Sequence, residues 1–251
     1  DIPSTYVDDE LLSEYNGGPV VIGNSTIAHG IIIPETQNHF LYDIAESMFS
    51  SSSTPCEYQF GLTGTFALMM GFAVGLPPLW DTESGHSGIG VFGLMDQGSN
   101  NGRGLVPAPP DAWTRKYAGW EEPKVYHAPT GVFLPARSEN NIIQLDINDH
   151  EYFLIENRTN RFRDNVSVDS ARYLMYKQSG NDRYPPFVEV LFDSVNIEKD
   201  TNGVVTSIAD YDIGLPASGL LIWHIDENSI NSGLTGYGIN GDRENRGVDL
   251  E

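Results

Sequence analysis

The sequence of 251 residues contains a single cysteine and few positive charges. Cys56 has no partner for a disulfide bond within the chain, so it is either a buried free thiol or bonded to a segment or protein outside this sequence. Fourteen Lys and Arg residues stand against 35 Asp and Glu residues, and the formal net charge is −21. Because so acidic a surface repels phosphate backbones, we expect no nucleic-acid partner.

Long apolar runs are also lacking. The longest apolar stretch, residues 66–79, is shorter than the roughly 20 residues of a membrane-spanning helix and contains Gly and Pro, so we expect no membrane span. The chain starts at Asp1 without a signal peptide, which we interpret as a piece of a longer secreted precursor. N-glycosylation sequons are typical of extracellular or cell-surface proteins, and they occur at Asn24, Asn157 and Asn165.

The first half of the chain has the pattern of helices joined by long turns. Apolar spacing predicts a helix over 38–50 and a second helix over 63–74. The second helix is apolar on nearly every face, so we expect it to be buried. Residues 81–112 are rich in Gly, Ser, Asn and Pro and predict a long ordered loop, after which Asp111 is placed to cap a short helix.

The pattern changes after Pro123, where short segments of alternating polarity predict strands. The DTNG sequence at 200–203 is a strong hairpin signal between two of them. We therefore predict an α + β protein with one lobe at 1–122 and a β-rich domain at 123–251. The predicted strands lie at 124–127, 131–134, 142–147, 151–156, 188–192, 204–208 and 219–225.

An ordered series of motifs extends over residues 28–251. The series resembles the secreted immune inhibitor A-type metalloproteases, a metzincin-like family of zinc peptidases. This resemblance implies the remnant of a metzincin-like catalytic lobe followed by the β-rich domain. The motifs are GTFA at 64–67, GFAVGLPPLWDT at 71–82, SGIG at 87–90, LMDQGS at 94–99, DAW at 111–113, GW at 119–120, YFLIENR at 152–158 and GLLIWHIDE at 219–227.

The zinc-binding helix of that family reads HExxHxxGLPDxYD, in which two His residues one helical turn apart bind zinc and the Glu acts as general base. Alignment on the GLP sequence at 75–77 places Leu68 and Phe72 at the two His positions. Met69 falls at the Glu position and Pro78 at the position of the third ligand. None of these side chains binds zinc well or accepts a proton from water at neutral pH.

The resemblance therefore implies a scaffold without its catalytic chemistry. We predict no catalytic residue and no zinc, with a packed core where the family has its metal. Met95 corresponds to the methionine turn beneath the zinc site, and we interpret it as a structural packing residue. The leading hypothesis is a non-catalytic pseudoprotease, an extracellular structural or binding protein within a larger polypeptide or assembly.

Two other functions stay open. The first alternative is an active secreted zinc endopeptidase whose ligands come from elsewhere, such as His86 or a missing segment. The second is a carbohydrate- or calcium-dependent adhesive module. The sequence has no G-x-S-x-G elbow and no GK[ST] loop, which argues against a serine hydrolase and a P-loop enzyme.

Calcium is a candidate cofactor, since acidic and amide side chains supply the oxygen ligands that this ion prefers. The candidate ligands are Asp226, Glu227, Asn228 and Asn231. The family's upstream sheet strands are absent from this sequence, and the first lobe would otherwise expose an apolar face to water. We therefore expect another segment of the same precursor, or another protein subunit, to cover it.

Overall fold

The computed structural model describes residues 4–33, 37–38, 59–60, 62–101, 104, 106–127, 131–136, 141–160, 197–199, 201, 205–208, 211–234 and 238–251. The described residues form both helices and strands, which confirms the mixed α + β class. Within this part of the chain, no helix combines the length and the hydropathy needed to cross a bilayer. Several predictions fall on residues outside it, namely most of the helix at 38–50, the strand at 188–192, Cys56 and Asn165.

The N-terminal segment forms two small antiparallel pairs around a short helix. Its elements are β1 Thr5–Val7, α1 Asp9–Asn16, β2 Val20–Ile22, β3 Ser25–Ile27 and β4 Gly30–Ile32. Strand β1 pairs with β4, with Thr5 opposite Ile32, and β2 pairs with β3 in a hairpin. Helix α1 begins after Asp8, whose side chain accepts a hydrogen bond from the Leu11 amide at 3.0 Å.

Helix α2 spans Thr63–Ala73 and confirms the helix predicted at 63–74. It ends at the GLP sequence, where Gly75 has a left-handed φ of 86° that favours glycine. The connection that follows contains short 3₁₀ helices at Gly90–Phe92 and Gln97–Asn100, and helix α3 spans Ala112–Tyr117. The Asp111 side chain accepts from the Thr114 amide at 3.0 Å, which confirms the predicted cap.

Two short strand pairs lie apart from the main sheet. Strands β5 Gln37–Asn38 and β6 Gln59–Phe60 pair antiparallel. Strands β10 Ile197–Lys199 and β11 Val205–Ile208 also pair antiparallel, which confirms the hairpin predicted around 200–203.

The main sheet lies after residue 123, and its described elements are β7 Lys124–Val125, β8 Ile143–Asp146, β9 Glu151–Arg158, β12 Gly219–Asp226 and β13 Val248–Leu250, with helix α4 Glu227–Leu234 after β12. The five described strands are in the order β13-β12-β9-β8-β7. The centre of the sheet is the antiparallel pair β9 and β12, in register from Gly219 opposite Arg158 to Asp226 opposite Glu151.

The strand predicted at 131–134 is wrong, because residues 131–136 form no strand. Phe133 is 88% exposed, and the segment pairs with none of the described strands. A short apolar segment forms a strand only when a neighbouring strand and a buried face are available.

The core continues across the predicted boundary near residue 122. Leu79, Met95 and Trp113 precede it and belong to the same buried cluster as Leu154 and Trp223. Side chains of β9 alternate in burial along the whole strand, so one face of the sheet lies on this cluster. The division into domains at 1–122 and 123–251 stays a prediction.

Candidate functional site

Helix α2 presents three of the four zinc-motif positions to the core. Met69 is buried, whereas Leu68 and Phe72 are half-buried and pack against the main cluster. The Phe72 ring meets the Trp80 ring edge-on, with centroids 5.8 Å apart. At the two positions that the sequence alignment matched to His residues, this face therefore makes apolar contacts.

Met95 lies directly beneath the helix. A Cβ atom added at Gly71 would stand 2.6 Å from Met95 Sδ, which is closer than real Cβ contacts. Met95 is fully buried, and its carbonyl accepts a hydrogen bond from the Leu79 amide at 2.9 Å. The methionine thus joins the middle of α2 to the segment that follows its C-terminal turn.

These positions do not fit a zinc ion. Leu68, Phe72 and Pro78 carry no side-chain donor atom, and the Met69 thioether is a poor ligand for zinc. Within the described residues, no three or more His, Cys, Asp and Glu side chains are grouped to hold a metal. His86 lies in an exposed turn, where its Nδ1 is 2.5 Å from Ser84 Oγ.

Asp96 holds the LMDQGS segment against the SGIG segment. Its Oδ2 accepts hydrogen bonds from the Ser87 hydroxyl and from the backbone amides of Gly88, Ile89 and Gly90, at 2.7 to 2.9 Å. Asp96 is 3% exposed, and its Oδ1 has no partner among the described residues. Sequence reasoning missed this contact, although a serine followed by glycines is a pattern that cradles anions.

A buried ionic network joins α3 to the main sheet. Glu156 accepts from Trp223 Nε1 at 2.9 Å and from Arg115 Nη2 at 2.8 Å. Arg115 Nε also donates to Glu121 Oε2 at 2.8 Å. Burial alone would lower the pKa of the Arg115 guanidinium, but the two carboxylates outweigh it and raise that pKa. The network thus carries charges that compensate each other inside the protein.

Arg158 connects the other end of β9 to two loops. Its Nε and Nη2 donate to the two carboxylate oxygens of Asp212 at 2.9 and 2.6 Å, and its Nη1 donates to the Phe92 carbonyl. Such a bidentate pair fixes the geometry of both side chains. It therefore positions the loop that contains the 3₁₀ helix at Gly90–Phe92.

The predicted calcium ligands lie at the start of α4. Asp226 accepts from the Asn228 amide at 2.9 Å and from the Ser229 hydroxyl at 2.8 Å, which is the geometry of a helix cap. Glu227 Oε1 accepts from the Tyr152 hydroxyl at 2.5 Å, and Asn231 is exposed. Burial and the Glu227 carboxylate raise the pKa of Tyr152. Both carboxylates thus make contacts within the protein, and calcium binding here stays a prediction.

The two described sequons differ in their surroundings. Asn24 is exposed in the turn of the β2–β3 hairpin. Asn157 lies in β9, and its side-chain amide donates to the Leu134 carbonyl at 2.8 Å. An oligosaccharide would therefore meet open solvent at Asn24 and a hydrogen-bonded amide at Asn157.

No protein-family model, no curated protein and no solved structure matches the chain. The resemblance to the immune inhibitor A-type metalloproteases thus depends on the motifs in the sequence. Functional statements follow from these residues and their contacts.

Proposed function

We propose that the chain is a non-catalytic pseudoprotease of the immune inhibitor A type, which serves as an extracellular structural or binding module. The observation that supports this is the apolar packing at the zinc-motif positions. Leu68 and Phe72 join the core, and Met69 is buried beside them. An apolar core cannot polarise a peptide carbonyl or activate a water molecule.

The close packing beneath the helix supports the same proposal. Met95 touches the backbone of Gly71, and Phe72 packs on Trp80. Close packing of this kind mainly stabilises the fold. Met95 thus supports α2 in the way that a methionine turn supports the zinc-binding helix of that family.

An exposed stripe on α2 supports a partner. Phe66, Met70 and Val74 are spaced four residues apart, so they lie on one face of the helix, and they are 49%, 42% and 58% exposed. The prediction that this helix is buried is therefore correct for one face only. Contiguous apolar surface of this kind is typical of interaction sites. Another segment of the same precursor or a second subunit is the proposed cover.

The proposed location is extracellular or at the cell surface. The exposed sequon at Asn24 and the net charge of −21 support it, because sequons are modified in the secretory pathway and high charge favours solubility. Calcium is the proposed ion for the acidic surface, and zinc has no role in the proposal.

The test combines metal content with proteolysis. The protein isolated from its source is analysed for zinc and calcium per chain by plasma mass spectrometry, and it is then incubated with labelled casein, with and without a zinc chelator. We expect no stoichiometric zinc and no chelator-sensitive cleavage. About one zinc per chain together with chelator-sensitive cleavage would establish an active endopeptidase with relocated ligands.

A further inference from the structure

A cleft of about 490 Å³ with several polar side chains in its walls lies between α4, the turn near Glu83 and the loop after residue 238. This volume is in the range of ligand-binding clefts and exceeds what a single metal ion needs. Three glycines and Ile239 supply the rest of the lining, and no described aromatic residue contributes. The polar side chains that line it are Glu83, Asn228, Ser229, Ser232, Asp242 and Asn245.

The walls of the cleft are held in place by buried contacts. The side-chain amide of Asn240 donates to the carbonyls of Leu79 and Val248 at 3.0 and 2.8 Å, and its Oδ1 accepts from the Val248 amide at 3.0 Å. Gly233 on α4 meets the same loop so closely that a Cβ atom there would stand 2.5 Å from the Gly238 carbonyl oxygen. The cleft is therefore formed before a ligand arrives, which reduces the entropy lost on binding.

The described residues that line the cleft include two acidic side chains and no basic one, and the exposed Arg243 next to Asp242 lies outside the lining. Glu83 and Asp242 are its two titratable side chains, and no Lys, Arg or His of the described residues lines it. Asp242 Oδ1 accepts from the Glu244 amide at 3.0 Å and its Oδ2 from the Asn245 side chain at 2.9 Å, and these hydrogen bonds lower its pKa. Arg246 in the same loop pairs with Asp249 at 2.7 Å. The cleft thus carries negative charge at neutral pH.

This combination selects a class of ligand. A guanidinium group offers five N–H donors in a plane, and it matches carboxylate, amide and hydroxyl acceptors better than a compact ammonium does. We propose that the cleft binds the guanidinium group of an arginine, presented by an extended segment of a partner protein. None of the zinc-motif positions lines the cleft, so this inference goes beyond the proposed function and stands apart from it.

The test is calorimetric titration of the full chain with an acetylated Gly-Gly-Arg-Gly-Gly peptide. Free arginine, the lysine peptide and the citrulline peptide are titrated in parallel, because citrulline has nearly the shape of arginine without its charge. We expect the arginine peptide to saturate one site and the citrulline peptide not to bind. Free arginine should bind more weakly than the peptide, since it lacks the flanking backbone.

Substitutions of cleft residues test whether the arginine peptide binds in the cleft. We expect Glu83→Gln and Asp242→Asn each to weaken binding of the arginine peptide by about fivefold or more. Glu244→Gln removes an equal charge from an exposed residue outside the lining, and it should change the affinity by less than about twofold. Thermal unfolding of each variant confirms that the fold is kept, since all three side chains are exposed.

Several outcomes would overturn the proposal. Equal binding of the arginine and citrulline peptides would remove the charge argument, and equal binding of the lysine peptide would remove the guanidinium argument. Free arginine that binds as tightly as the peptide would point to a small-molecule ligand. Saturable calcium binding that is lost in Glu83→Gln, without peptide binding, would make the cleft a metal site.

Discussion

Met95 and Gly71 are in direct contact beneath helix α2. A Cβ atom at Gly71 would stand 2.6 Å from Met95 Sδ and 3.2 Å from Met95 Cε. The contact joins the LMDQGS segment to helix α2, and it depends on the absence of a side chain at position 71. The scaffold function of both segments can therefore be tested by substitution.

We expect Gly71→Val to lower the free energy of unfolding by about 1–3 kcal/mol, because the new side chain has to displace a fully buried methionine. Gly131→Val is the matched control, since no atom of the described residues lies within 4 Å of a Cβ at Gly131. The control should stay within about 0.5 kcal/mol of the parent protein. Urea denaturation measures both, and equal effects of the two substitutions would contradict the contact.

The double variant Leu68→His with Phe72→His tests the assignment of the zinc-motif positions. We expect it to show no chelator-sensitive hydrolysis of a fluorogenic peptide with zinc added, because Met69 supplies no base and Pro78 no third ligand. Measurable hydrolysis would show that the ligands had been assigned wrongly. The variant should also unfold at lower denaturant, since Leu68 and Phe72 pack on the core.

Glu156 is the residue that the buried network depends on. Glu156→Gln keeps the size of the side chain but removes the charge that compensates Arg115, and we expect a loss of about 2–3 kcal/mol in unfolding free energy. Glu151→Gln, at the exposed end of the same strand, should cost less than about 1 kcal/mol. A double-mutant cycle with Arg115→Met should return a coupling energy for the first pair and almost none for Glu151 with Arg115.

Local patterns predicted the elements that local chemistry controls. Helix α2 follows from apolar residues without Pro, and the Asp111 cap follows from one carboxylate before a helical segment. The predicted strands at 151–156 and 219–225 are short apolar segments, and they pair because each has a neighbour over its full length. The segment at 131–134 is also apolar but has no such neighbour among the described strands, and the prediction failed there.

The features that could not be predicted from the sequence depend on long-range contacts. Glu156 meets Arg115 across 41 residues and Trp223 across 67, and no spacing in the sequence relates these three. The cradle of Asp96 depends on how two loops fold back on each other. At the zinc-motif positions, by contrast, the residue types alone argue against zinc ligation, and the absence of zinc stays a prediction.

The pH dependence of stability is expected to depend on Asp111, which is fully buried. Burial raises the pKa of this carboxyl above 3.8, against the hydrogen bonds from Thr114 that lower it. The folded state therefore binds the proton more tightly than the unfolded state. The stabilisation is complete below pH 3.8 and is lost as pH rises through the pKa of the folded protein.

Asp111→Asn isolates this contribution, because its Oδ1 still accepts from the Thr114 amide and it does not titrate. We expect the parent protein to lose stability relative to the variant by about 1.4 kcal/mol per pH unit between the two pKa values, and the difference to level off above them. Unfolding free energies measured across this interval test it, with exposed Asp149→Asn as control. Parallel curves for parent and Asp111→Asn would mean that Asp111 keeps an unshifted pKa, because the Thr114 hydrogen bonds then balance burial.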